Sequence, residues 1–251
     1  MTKPRILIAL ALAVLLAFGL RARALEEKAF WWDEAWSVWV SNRSLAEATE
    51  LTTRDVHPPV YQWLLGGWIR LAGISEFAAR MPSVYAGVLT VAAVYPLTRR
   101  LSGRRGAALL AVFFLALAPL HLRWSQEPRM YATVALFAAL TTYAYLRVGE
   151  RWSGWWALLV AAGTAAMLTH YLAACVLALL NLHWLLTWRG RKRAFHGRWI
   201  AAMALTGLLL GVWMLYAYER IRRGGGGTSG LSLDVVYQLG ATLLTVGRSV
   251  N

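Results

Sequence analysis

The 251-residue chain is short of several things on which other protein classes depend. It has a single cysteine, Cys175, inside an apolar run, so neither an intramolecular disulfide nor a cysteine-based metal site can form. Acids are scarce, with 12 Asp and Glu against 26 Lys and Arg and a formal net charge of +14. No internal repeat is visible, and the period-two alternation of a membrane β-barrel is absent, which leaves the α-helix as the way to cross a bilayer. The one low-complexity stretch is the glycine run in Tyr218–Asp234, which reads as a flexible external loop.

What is present is apolar. Hydrophobic residues make up 59% of the chain, against roughly 45–50% in soluble domains. Several runs of roughly 15–20 apolar residues approach the length of a transmembrane helix. The chain therefore reads as an all-α, polytopic transmembrane helical bundle forming one membrane-embedded domain over 1–251. Expected spans are Arg5–Leu20, Phe77–Leu97, Ala107–Leu122, Met130–Leu146, Trp155–Leu168, Tyr171–Leu186 and Trp199–Ala217, with a weaker one at Val235–Val246. In such a protein a basic excess is accounted for by loop arginines that fix topology, so nucleic acid is not expected as a partner. The N-terminus has the basic start, the apolar run and the small-residue Ala22-Arg23-Ala24 site of a signal peptide. It reads as an uncleaved first span because further spans follow it.

Loop charge sets the topology. The densest basic short loops are Arg99–Arg105, Arg147–Arg151 and Arg189–Arg198. With the N-terminus inside, all three fall on the cytoplasmic side only if the ambiguous segment His57–Gly73 does not span. That segment carries Gln62 and Arg70, and has Tyr61, Leu64, Leu65 and Trp68 at helical spacing, as an interfacial amphipathic helix does. Residues 21–76 then form a long external loop with two interfacial helices. The first runs from about Asp33 to Val40, its tryptophans anchoring it at the headgroup level.

The acids outside the cytoplasmic loops that stand out are Asp33, Glu34, Asp55 and Glu127, all at external ends of spans or in external loops; His57, His121 and His170 fall on the same side. Titratable groups converging on one face of a bundle suggest a site at the membrane surface. Plainer readings stay open for each. Asp33 and Glu34 suit a helix cap and first turn. His57-Pro58-Pro59 suits a helix start, and Gln126–Arg129 a solvated turn. His170-Tyr171 suits an interfacial aromatic pair. Arg80 either snorkels to phosphates or serves the site. Arginine and histidine would pair with phosphate oxygens, and a carboxylate would take a proton from an acceptor.

Four segments in order, "WWDEAWS", "DVHPPVYQWLL", "SEFAARMPSVYAGVLTVAAVYPLTRRLSG" and "LALAPLHLRWSQEPRMYA", resemble the bacterial membrane glycosyltransferases of the protein O-mannosyltransferase and aminoarabinose transferase superfamily. These are GT-C fold enzymes, and the resemblance runs from about Ile6 to Leu186. It implies a polyprenyl-phosphate sugar donor, a glycan, lipid or protein acceptor, inversion at the anomeric carbon, and a multi-pass protein of the inner (plasma) membrane with its N-terminus in the cytoplasm. Carried over by position, Asp33 is the base that activates the acceptor, with Glu34 beside it and Glu127 as the acid of the second external loop. His57 contacts the lipid phosphate, Arg129 and Tyr131 complete the second motif, and Arg80 and His170 are further substrate-binding candidates. Pro128 departs from the usual Gln-Glu-Ala-Arg-Met-Tyr pattern. Relatives usually carry further spans, so a fragment or truncated product is expected. A divalent cation, Mg or Mn, at Asp33 or Glu127 stays open, with no dedicated ligand spacing. The alternative from another class is a non-enzymatic transporter or lipid-binding subunit; the lack of a repeat and of mid-span acids counts against it.

Overall fold

A computed structural model describes residues 3–53, 55, 57–149 and 152–223, and all its regular elements are helical. The expected spans at one end of the chain, Val235–Val246, and most of the 218–234 loop lie outside the described residues; Tyr218–Arg223 continue a helix instead.

Helix α1 (Lys3–Ala22) is followed by a linker and three short helices, α2 (Trp32–Ser41), α3 (Leu45–Thr53) and α4 (Val60–Ala72). Helix α5 (Glu76–Ser102) is about 40 Å long at 1.5 Å per residue, enough to cross a bilayer. Ser75 caps its start by accepting a hydrogen bond from the Ala78 N–H at 3.2 Å, and Gly103, left-handed at φ 70°, closes its end. Next come α6 (Arg105–Leu117) and α7 (Pro119–Ser125), then α8 (Tyr131–Arg147), α9 (Gly154–Met167), α10 (Ala174–Leu186, entered through a 3₁₀ turn at 171–173) and α11 (Arg193–Arg223). Helices α1, α5 and α11 are long and apolar enough to cross a membrane, and α6 with α7 passes as one broken span. The multi-pass membrane protein expected from composition is therefore the architecture found.

The run expected as one span over Ala107–Leu122 is bent by 60° at Ala118. Pro119 forces this: it cannot donate a helical hydrogen bond, and it pushes the preceding residue out of the helical region, where Ala118 sits at φ −60°, ψ 116°. A buried cation braces the bend. Arg21, in the last turn of α1, is 0% exposed. Its Nη1 donates to the Ala17 and Ala116 carbonyls, its Nη2 to the Leu115 carbonyl, all at 3.1 Å; Nη2 also lies 2.8 Å from His121 Nδ1, and Nε 3.3 Å from Ser125 Oγ. Two of these carbonyls, Leu115 and Ala116, belong to the last turn of α6, where helical partners run out; Leu115 also accepts from the Ala118 N–H at 3.3 Å.

Gly87 of α5 is where Ser125 presses closest. A Cβ there would meet Ser125 Oγ and, at 2.7 Å, Ser125 Cβ. Gly87→Ala is expected to displace Ser125 from Arg21 and to lower stability by about 1–3 kcal/mol, the usual range for overpacking, read as a lower unfolding midpoint in detergent.

Helix α4 is 13 residues, about 20 Å, too short to span. It lies across the end of the bundle against α2, α3 and α5. Its buried face is Tyr61, Gln62, Leu65, Gly66 and Ile69, while Leu64 is exposed. On α2 the division is clear: Glu34, Ser37, Val38, Val40 and Ser41 are buried, whereas Trp31, Trp32 and Trp39 face out. The two helices meet over a small core of Val38, Tyr61, Leu65, Ile69, Ala79 and Met130. Gln62, polar and buried, accepts from Ser41 Oγ at 2.6 Å.

The chain runs to and fro between two ends. At one end Arg100 Nε donates to the Leu146 carbonyl at 3.2 Å and Arg191 Nη2 to the Tyr145 hydroxyl at 3.2 Å, so the three basic loops gather there. At the other end the Val60 N–H bonds the Leu168 carbonyl at 3.0 Å, and Arg220 of α11 lies 3.9 Å from Glu50 of α3. The expected separation of basic loops from acidic site residues is thus built into the fold.

Candidate active site at the acidic end of the bundle

Asp33 and Glu34 are neighbours in the first turn of α2, so their side chains diverge by about 100°. Glu34 turns inward and is 1% exposed. Arg80 of α5 clamps it with two bonds, Nε to Oε1 at 3.1 Å and Nη2 to Oε2 at 2.6 Å. Oε2 also accepts from the Trp31 backbone N–H at 3.3 Å, half of a capping box. Arg80 is 5% exposed and donates as well to the carbonyls of Leu25, Lys28 and Ala29. Glu34, expected among the catalytic acids, and Arg80, expected against substrate, therefore take up each other's charge and pin the 25–29 linker to α2 and α5.

Asp33 turns the other way. Its side chain is 40% exposed, and Oδ2 sits 3.6 Å from Nη2 of Arg129. Arg129 Nη1 donates to the Asp33 carbonyl at 3.2 Å and to Ser37 Oγ at 3.1 Å. Ser37 Oγ in turn donates to the same Asp33 carbonyl at 2.8 Å. Arg129, expected to hold phosphate, is 6% exposed with its Nη groups turned to α2, where it orients Asp33.

The hairpin carrying Arg129 brings Glu127 alongside. Its Oε1 accepts from Arg123 Nε at 3.3 Å, four residues back on α7, and its Oε2 is buried without a partner. Burial is the main force on this carboxyl and raises its pKa above the ordinary value, with the Glu34 charge adding to the rise; Arg123 and Arg129 oppose it. Glu127 lies two residues from Arg129, whose Nη groups reach α2.

Aromatic contacts extend the cluster. The Arg129 guanidinium lies 5.9 Å from the Tyr131 ring, Tyr131 packs on Trp124 at 4.1 Å, and the Tyr131 and His170 rings are 6.0 Å apart. His170 meets His57 edge-on at 5.2 Å, and His57 Nδ1 lies 3.3 Å from Asp55 Oδ1. A carboxylate at Nδ1 selects the tautomer protonated there, so a second proton on the ring adds Nε2–H as a donor. Asp33, Arg129, Tyr131, His170, His57 and Asp55 thus form one contiguous row, drawn from α2, the second-loop hairpin, the turn before α10 and the loop before α4.

His170 Nδ1 accepts from the Leu172 N–H at 3.1 Å. Burial, then the charges of His57 and Arg129, lowers its pKa from the ordinary 6.5 to about 4. A depressed histidine contributes stability that is complete above 6.5 and lost as pH falls toward 4. Melting temperature in detergent is expected to drop across that window, and His170→Asn is expected to flatten this part of the curve.

Among the described residues no three His, Cys, Asp or Glu side chains gather to hold a metal ion. Asp33 and Glu127 are each engaged by arginine, a poor setting for a divalent cation, and no step below is routed through one.

Sequence reasoning did not assign Ser37, Arg123 or Gln126. Gln126 Nε2 donates to the carbonyls of Leu20 and Arg23 at 3.2 and 3.0 Å, which ties the hairpin to the end of α1. The only signal for Ser37 was its position four residues after Asp33, one helical turn on.

An all-helical bundle with several apolar spans, short helices at one end and a polar row beside them defines a multi-pass membrane protein. The family model described as dolichyl-phosphate-mannose-protein mannosyltransferase matches residues 56–217. The chain belongs to that family. Asp33 and Glu34 precede the matched region. An uncharacterized protein of Aquifex aeolicus (strain VF5) is 25% identical over 223 residues, which cover 87% of this chain and 44% of that protein. The solved structure of the S. cerevisiae protein O-mannosyltransferase Pmt1-Pmt2 complex, bound to the sugar donor, is similar in fold, with a TM-score of 0.63 at 18% identity, over 88% of this chain and 34% of the other. The chain therefore spans less than half the length of these relatives.

Proposed function

We propose that the chain carries the sugar-transfer site of a membrane glycosyltransferase of the inner membrane. It takes its sugar from a polyprenyl-phosphate-linked donor and gives it to an acceptor at the extracytoplasmic face, the N-terminus being cytoplasmic. The observation that carries the reading is the Asp33–Arg129 junction, where a half-exposed carboxylate on an interfacial helix is oriented by a buried guanidinium from the second external hairpin.

Asp33 takes the proton of an acceptor hydroxyl as its oxygen attacks the anomeric carbon. The bond from that carbon to the phosphate oxygen breaks, and the phosphate leaves with the electron pair, so the configuration inverts. His57, with Asp55 against its Nδ1, turns its other ring edge to the phosphate. Tyr131 and His170 shape the wall between the two groups. Glu127, its pKa raised by burial, is the second acid of the site and sits in a different environment from the half-exposed Asp33. Phosphate is a good leaving group, so orientation and electrostatics carry the rate. Arg129, Glu34 and Arg80 are positioning residues.

The outward indoles of α2 support placing this site at a membrane surface. Family membership supports the choice of donor. The test is transfer of labelled sugar from a polyprenyl-phosphate donor by the purified chain in proteoliposomes. Transfer is expected; the absence of both transfer and saturable donor binding would overturn the reading.

A further inference from the structure

The basic end of the bundle holds a second cluster, independent of the transfer site. A cleft of about 480 Å³ lies between the 188–190 turn and the start of α11, lined by Trp188, Arg189, Arg191, Arg193 and His196. We propose that this cleft binds the phosphate headgroup of an anionic membrane lipid.

Among the described residues, those lining the cleft include three arginines and neither Asp nor Glu. Neither Asp nor Glu occurs in the sequence between Glu150 and Glu219. Arg191 is held in place before any ligand arrives. Its Nε donates to Thr187 Oγ1 at 3.1 Å and its Nη2 to the Tyr145 hydroxyl at 3.2 Å, and its guanidinium lies 4.3 Å from the Phe195 ring. Arg189 and Arg193 are exposed on either side. Guanidinium groups in such a fork match the oxygens of a phosphate, and an anchored one loses little freedom on binding.

His196 adds a neutral donor. The Trp184 indole N–H donates to its Nδ1 at 3.0 Å, so in the neutral ring the proton sits on Nε2. The Trp188 ring stacks on it at 3.8 Å and 17°, fixing the plane.

Two observations favour a lipid over a free anion. Trp188 is 43% exposed at the rim, the kind of residue found at the headgroup level. Directly along α10, Leu179, Leu182 and Leu186 are exposed at spacings of three and four, one continuous apolar face leading to the cleft. A phosphate in the cleft would leave acyl chains lying along that face.

The experiment is native mass spectrometry of the detergent-purified chain titrated with dioleoyl phosphatidylglycerol. Dioleoyl phosphatidylcholine serves as the neutral control and inorganic phosphate as the competitor. Phosphatidylglycerol is expected to bind in preference to phosphatidylcholine. An Arg189→Gln/Arg193→Gln variant is expected to lose about tenfold or more in affinity, the effect of removing charge-assisted hydrogen bonds, with its melting temperature unchanged. Equal binding of the two lipids, or unaltered binding by a folded variant, would overturn the proposal. Full displacement by millimolar phosphate would overturn the lipid and leave a small-anion site. Should the double variant fail to fold, Trp188→Ala and Arg193→Gln singly give the same reading.

Discussion

Asp33→Asn is expected to lower sugar transfer by a factor of about 10²–10⁴, the range for losing a general base, while donor binding and the unfolding midpoint stay near those of the unaltered chain. The structure explains why the damage is confined to chemistry. Two of the Arg129 contacts that seat this turn go to the Asp33 backbone carbonyl and to Ser37 Oγ, and neither depends on the carboxylate. What disappears is the only charged oxygen pair that α2 presents to the outside, since the Glu34 carboxylate is turned inward against Arg80. Transfer at an unaltered rate would remove Asp33 from the mechanism.

The largest expected loss of stability is at Glu34 and Arg80. Arg80→Met leaves a buried carboxylate with no cation, and is expected to cost about 3–5 kcal/mol, read as a collapse of the unfolding midpoint in detergent. Glu34→Leu is expected to cost a comparable amount by stranding the guanidinium. The double variant is expected to recover part of the loss, because neither charge is then left alone. Recovery stays incomplete because the carbonyls of Leu25, Lys28 and Ala29 also lose their donor. Additive losses would show that the pair is not coupled. Arg80→Lys is expected to fall short of the original, since an ammonium cannot make the two-point contact with both Glu34 oxygens.

These two experiments separate adjacent residues that composition and motif place together. In the sequence Asp33 and Glu34 are one acidic pair, and nothing local says which faces inward. The helical start at Trp32 decides it, by rotating Glu34 toward α5. The class of fold, the non-spanning α4 and the gathering of site residues at one end were legible because they follow from apolar length and loop charge. The meeting of His57 with His170 and of Arg129 with Asp33 was legible only as a shared end, since long-range packing fixes their distances. That the Nη groups of Arg129 turn to α2 was not legible for the same reason: burial is a tertiary property.

Arg21 was missed altogether. A lone arginine at the end of an apolar run ordinarily snorkels to headgroups, and there the rule fails. Its five N–H groups all find protein acceptors at the α6–α7 bend and in α1. A peptidase cut at the small-residue stretch that follows would therefore do more than trim a secretion tag. It would draw a bolt from the bend, strip the Ala116 carbonyl of its Arg21 donor, and loosen the hairpin that carries Glu127 and Arg129. The opening segment thus behaves as masonry: the acidic end of the bundle is braced by the first helix.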